Sequence, residues 1–141
     1  MISNIHHSAI IDKNAVIDSS VKIGPFCTIG PNVEIKENTI LKSNVIIDGY
    51  TEIGNNCTIY PFSVLGNPPQ DLKFKGEKSK LIIGNNNVIR EHTTMNPGTE
   101  GGGLITKVGN DCLIMVGAHV AHDCLLAVSY THLTLPTILL V

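Results

Sequence analysis

The chain has 141 residues, a net charge of −2, three Phe, three Tyr and no Trp. That length implies one domain, the weak charge gives no electrostatic case for nucleic acid or an anionic membrane, and the shortage of rings excludes a core built on aromatic packing. No apolar run approaches the ~20 residues needed to span a bilayer and no signal-peptide pattern opens the chain, so the cytoplasm is the expected compartment.

From Ile5 an aliphatic residue recurs at every sixth position: Ile5, Ile11, Ile17, Ile23, Ile29, Ile35, Leu41, Ile47, Ile53, Ile59 and Leu65. Four places after each stands a small or β-branched residue, as in Ala9, Val21, Cys27, Thr39, Thr51 and Ser63. Neither a helical period of 3.6 nor a plain strand period of 2 explains a strict six, whereas a six-residue strand-plus-turn unit does. The first aliphatic is expected to point into a tube, the fifth residue to sit beside a corner, and Gly, Asn or Asp to make the turn. Ile23-Gly24, Ile29-Gly30, Ile53-Gly54 and Leu65-Gly66 show the Gly form, with Asp12, Asp18 and Asp48 as turn-tolerant substitutes. The expected fold is all-β, a parallel β-helix of hexapeptide repeats.

The repeat breaks after Leu65. Residues 67–82 are polar, Pro-bearing and out of register, and contain Gln70-Asp71-Leu72-Lys73. The period resumes through Ile83-Gly84, Ile89 and Met95. It breaks again over Asn96 to Lys107, around Gly101-Gly102-Gly103, then continues through Val108, Ile114, Val120 and Leu126. A solenoid builds its core from repeats and carries its specific chemistry on the loops that interrupt them. A solvated insertion is the commoner fate of one such loop, but two independent breaks favour function.

Cys27, Cys57, Cys112 and Cys124 all occupy the small inward position and form no C-x-x-C pair, so they read as small buried hydrophobes, with no metal site expected. A reducing compartment agrees with this. His6 and His7 belong to the first turn and are expected to be solvated, and His92 faces outward with no obvious partner. His119 and His122 differ. In Gly117-Ala118-His119-Val120-Ala121-His122-Asp123-Cys124 the register turns Val120 and Cys124 inward, so both imidazoles face out of the coil beside a carboxylate. On these residues alone, a functional role and an ordinary surface pair stand level.

Five segments together are more specific: Ile23-Gly24-Pro25-Phe26-Cys27, Gln70-Asp71-Leu72-Lys73, Ile89-Arg90-Glu91, the triple-glycine loop, and Ala118 to Cys124. In this order and spacing, over about residues 1 to 126, the chain resembles the bacterial UDP-N-acetylglucosamine O-acyltransferase family, which opens lipid A synthesis. The resemblance implies a left-handed coil, against the usual right-handed crossover, and a homotrimer with active sites between subunits. It implies His122 as the general base on the sugar 3-hydroxyl and Asp123 as the acid that orients the ring or stabilises its charged form. It implies His119 as a second histidine near the sugar nucleotide, Lys73 as positive charge toward phosphate or carrier, and Gln70 and Asp71 as readers of the acyl hydroxyl. Substrates would be UDP-N-acetylglucosamine and an (R)-3-hydroxyacyl group on acyl carrier protein. No cofactor, cysteine nucleophile, nucleic acid or membrane insertion is implied.

After Leu126 the resemblance stops. No turn residue follows, position 132, the next inward slot, is His, and Val128 to Thr137 resembles the translation of a transposase adapter. The expectation is a β-helix over 1–126, the front of a longer domain, and a tail over 127–141 that is foreign to it. A natural capping strand is the alternative, and the coding DNA separates the two. On the first reading the family's oxyanion donor, acyl-length ruler and uridine contacts lie past this chain, which alone is expected to aggregate and transfer no acyl group.

Other classes stay open. A γ-carbonic-anhydrase-like zinc enzyme needs three convergent imidazoles at wider spacing than His119 and His122, and metal content identifies it. A non-catalytic β-helix scaffold is identified by failure to bind UDP-N-acetylglucosamine. Another hexapeptide-repeat acyltransferase is the nearest alternative. The N-acyltransferase of the same pathway normally carries an extra N-terminal domain, for which a repeat beginning at Ile5 is expected to leave no room.

Overall fold

Most hexads become a two-residue strand and a corner, with longer strands at Val33–Ile35, Tyr50–Ile53, Lys80–Ile83 and Ile105–Val108, and three hexads close one triangular coil. In the computed structural model, which describes residues 4–127 and the pair 131–132, Ile10 is partnered by Thr28, Thr28 by Ile46 and Ile46 by Val64, each time three hexads further on. Stacking at that step gives three parallel six-stranded sheets, one per side of a left-handed β-helix. No helix among the described residues is long and apolar enough to cross a membrane.

From Ile23 to Leu126 the first residue of each hexad lies inside. Ile29, Ile47, Leu65, Met95 and Val120 stack along one sheet, each 2% exposed or less. Ile11 and Ile17, in the first coil, are only partly buried, with a described coil on one side only. The fifth position takes small side chains at the corners. Thr39 is fully buried, and its hydroxyl donates to the Gly54 carbonyl at 2.7 Å while accepting the Cys57 amide at 3.1 Å. Thr39→Val keeps the volume but orphans that amide. It should cost about 1–3 kcal/mol, read as a lower urea midpoint at constant slope. The four cysteines are buried and free, and burial pushes the Cys27 and Cys57 thiols above their ordinary range.

The corners are built differently from the expectation. A left-handed backbone falls on the third residue after the aliphatic, at Phe26, Asn38, Asn44, Asn56, Phe62, Asn86, His92, Asp111 and Asp123. Asn and Asp tolerate that region, which explains their frequency there. Of the four Ile/Leu-Gly pairs only Gly66 has positive φ, at 90°. Gly24 instead permits close stacking: a Cβ there would lie 2.8 Å from the Lys42 carbonyl of the next coil. Asp12 and Asp18 do act as turn formers, accepting the amides of Asn14 and Ser20. His92 has a ring partner after all, stacked on Phe62 with centroids 5.4 Å apart and planes 8° from parallel.

The two breaks are insertions between stacked coils. Val64 is partnered by Thr94, where the unbroken three-hexad step would reach Ile82, so the first insertion adds two whole hexads. Thr94 is partnered by His119, where the same step would reach Cys112, so the second insertion exceeds a single hexad by one position. Both are shorter at their far end than expected, because ladder pairing is regained at Lys80 and Ile105, ahead of Ile82 and Lys107. Past Leu126 the pair Thr131–His132 lies parallel to Leu113–Ile114, again three hexads on. The rest of the tail, 128–130 and 133–141, lies outside the described residues.

Candidate functional site

The site forms where the second insertion meets the coil after it. His119–Val120 is a two-residue strand beside Thr94–Met95. Alternation sends Val120 into the tube and His119 outward, where its Nδ1 lies 2.6 Å from the Thr94 hydroxyl. Burial holds His119 below the ordinary imidazole value; Thr94 opposes that and neighbouring His122 adds to it. His119 is therefore uncharged at neutral pH. The chain turns at Ala121-His122-Asp123, with Asp123 in the left-handed region at φ 67°.

Asp123 is held from three directions. Its amide donates to the Thr106 hydroxyl at 2.8 Å, and its carboxylate accepts the Thr99 amide at 2.7 Å and the Thr99 hydroxyl. His122 Nδ1 is 2.9 Å from the same carboxylate. Burial pushes the Asp123 carboxyl up, but the hydrogen bonds from Thr99 and His122 outweigh it and leave the group below its ordinary value. An ionised carboxylate only accepts, so Nδ1 of His122 carries the proton. Nε2 of the neutral ring is then the unprotonated nitrogen. The side chain of His122 is 36% exposed and that of Asp123 17%, so the imidazole meets solvent while its partner is largely covered. The arrangement can take a proton at Nε2 and stabilise the resulting imidazolium.

The first insertion lies against the second. Glu77 accepts the Lys75 amide at 2.8 Å and the Glu100 amide at 3.0 Å, joining the loops next to Thr99. Asp71, Lys73, Glu77, Thr99, Glu100 and Gly101 line an open hollow of about 390 Å3, in which Lys73 is the one cation among the described residues. Asp71 accepts the Lys73 amide at 2.9 Å and so shapes its own turn. Gln70 is exposed and does not line this hollow. The structure thus joins His122 and Asp123 directly, places His119 on the preceding strand against Thr94 and within electrostatic reach of His122, and sets Asp71 and Lys73 beside Thr99, one contact from the carboxylate. A larger hollow of about 580 Å3, lined by Lys22, Gly24, Pro25 and Lys42 among others, holds none of these groups. No group of three or more His, Cys, Asp or Glu among the described residues is placed to hold a metal ion.

Thr94, Thr99 and Thr106 belong to the site and carry no sequence signal of their own. The triple glycine marks a break, but its reason is spatial: a Cβ on Gly102 would collide with the Asp123 carboxylate.

Two stretches of the chain, residues 3–37 and 32–67, match the family described as Bacterial transferase hexapeptide (six repeats). The acyl-[acyl-carrier-protein]--UDP-N-acetylglucosamine O-acyltransferase of Rickettsia typhi is 55% identical over 122 residues, which is 86% of this chain and 46% of the relative. Among solved structures, the UDP-N-acetylglucosamine O-acyltransferase of Moraxella catarrhalis is 48% identical with a TM-score of 0.85, covering 87% of this chain and 48% of that one. The UDP-N-acetylglucosamine acyltransferase of Francisella novicida is 44% identical with a TM-score of 0.85, covering 86% and 45%. The chain therefore spans about half the length of the curated relatives it matches.

Proposed function

The chain belongs to the UDP-N-acetylglucosamine O-acyltransferase family, and from that premise we propose that the protein carrying it transfers an (R)-3-hydroxyacyl group from acyl carrier protein to the 3-hydroxyl of UDP-N-acetylglucosamine. The observation that carries this reading is the His122–Asp123 pair, an imidazole whose Nδ1 lies 2.9 Å from a carboxylate, which leaves Nε2 to act as the base. Nε2 of His122 takes the 3-hydroxyl proton as that oxygen attacks the thioester carbonyl carbon. The tetrahedral intermediate collapses by expelling the carrier thiolate, which recovers the proton from the imidazolium. Asp123 offsets the positive charge while it exists. His119 faces the same sheet side as a neutral hydrogen-bonding group for the sugar nucleotide, and Gln70 and Asp71 address the acyl hydroxyl. No cofactor takes part.

The working assembly is a homotrimer in the cytoplasm. In support, Ile10 (70% exposed) and Ile46 (39%) lie on the sheet that carries His119, with Phe26 (64%) and Phe62 (53%) along its corner. Such a strip favours cover by another copy. Four free buried thiols suit a reducing compartment.

Incubating the complete protein with hydroxyacyl-acyl carrier protein and UDP-N-acetylglucosamine should release carrier thiol and O-acylated sugar nucleotide in equal amounts. Thiol release that does not depend on the sugar nucleotide would reject the reading. Lys73→Ala should raise KM for UDP-N-acetylglucosamine roughly tenfold and change kcat far less, the pattern of lost uniform binding. An unchanged KM would remove Lys73 from the binding site.

A further inference from the structure

The second insertion has a feature that its role as a loop does not require. Thr99 opens the short 3-10 turn Glu100–Gly102, where a threonine hydroxyl ordinarily bonds back to the amides of its own turn. Here it makes no such bond. The turn is held by the Thr99 carbonyl, which accepts the Gly102 amide at 3.1 Å and the Leu104 amide at 2.8 Å. The hydroxyl and the amide of Thr99 both point to Asp123, far along the chain, and Thr99 is only 6% exposed. Gly102 leaves room for the carboxylate on the same turn, since any side chain there would occupy its place.

Resting on the acyl-transfer reading, we propose that Thr99 is a positioning residue for catalysis. With Gly102 it forms a clamp on the Asp123 carboxylate that sets the orientation and basicity of His122. Two effects follow. The clamp fixes Oδ2 of Asp123 against Nδ1 of His122, which keeps Nε2 aimed at the attacking hydroxyl. The hydroxyl of Thr99 also donates to Oδ2, the oxygen that faces the imidazole, and so moderates its pull on the Nδ1 proton. The titratable groups next to this imidazole are Asp123 on its own turn and His119 on the preceding strand, and those beside Thr99 on the two insertions are Asp71, Lys73, Glu77 and Glu100. Removing the hydroxyl changes none of their charges. It leaves Oδ2 more basic, which stabilises the imidazolium and moves the acid limb of kcat/KM to higher pH.

The test uses the complete protein and four variants beside wild type. Thr99→Val keeps shape and amide but lacks the hydroxyl. It should lower kcat roughly 10–100-fold with KM for UDP-N-acetylglucosamine within about twofold, and shift the acid limb upward. Thr99→Ser should stay near wild type on both measures. Gly102→Ala should displace the carboxylate and lower kcat with KM held, and it decides the matter if a thermal melt shows Thr99→Val unfolded. Wild-type turnover in Thr99→Val, or equal damage in Thr99→Ser and Thr99→Val, would overturn the clamp. His122→Ala is assayed alongside to separate the two ideas. Normal turnover there rejects His122 as the base of the proposed reaction, whereas an inactive His122→Ala beside active Thr99→Val and Gly102→Ala rejects the clamp alone.

Discussion

His122→Ala in the complete protein should lower kcat on the order of 10²- to 10⁴-fold, the contribution of a positioned general base. The loss should fall on kcat far more than on KM, because in the proposed reaction Nε2 acts on the proton only as the sugar oxygen attacks. The fold should survive. The His122 side chain is 36% exposed and its described polar contact is with Asp123, so its removal leaves no cavity in the tube. Melting temperature and far-ultraviolet dichroism should match wild type while turnover collapses. Near-normal turnover in a folded His122→Ala protein would show that another group takes the proton.

Ile59→Ala should produce the opposite result, a large loss of stability with no direct effect on chemistry. Ile59 is fully buried and stacks between Leu41 in the coil below and Ile89 in the coil above. Truncation removes apolar burial and opens a gap that a stacked solenoid cannot close without moving whole coils. The cost should be about 2–5 kcal/mol. Because each coil touches only its neighbours, the damage should begin locally. Hydrogen exchange should accelerate first in the strands at Ile40–Leu41, Thr58–Ile59 and Val88–Ile89. A urea midpoint within error of wild type would mean that the aliphatic ladder does not carry the fold.

The ladder is also where sequence was most informative. A strict period of six admits few backbone solutions, and a triangular coil is one in which every sixth side chain points to the same axis. Inward Ile29, Ile47 and Leu65, buried Cys57 and Thr39, and outward His119 and His122 follow from that period by counting. The pairing of His122 with Asp123 is legible too, because the two are adjacent in sequence.

The corner conformations were not legible, since left-handed backbone falls on Phe26, Phe62 and His92 as well as on Asn, and aromatic residues carry no turn signature. The stacking of His92 on Phe62 needed the coil geometry. Above all, the clamp of Thr99 on Asp123 depends on how two insertions, one a whole number of hexads and the other not, return the chain to register. Local pattern encodes the repeat, because each hexad meets the same surroundings at every turn of the coil. An insertion has no repeating partner, so its place is decided by which coils stack above and below it, and that is a property of the tertiary structure alone.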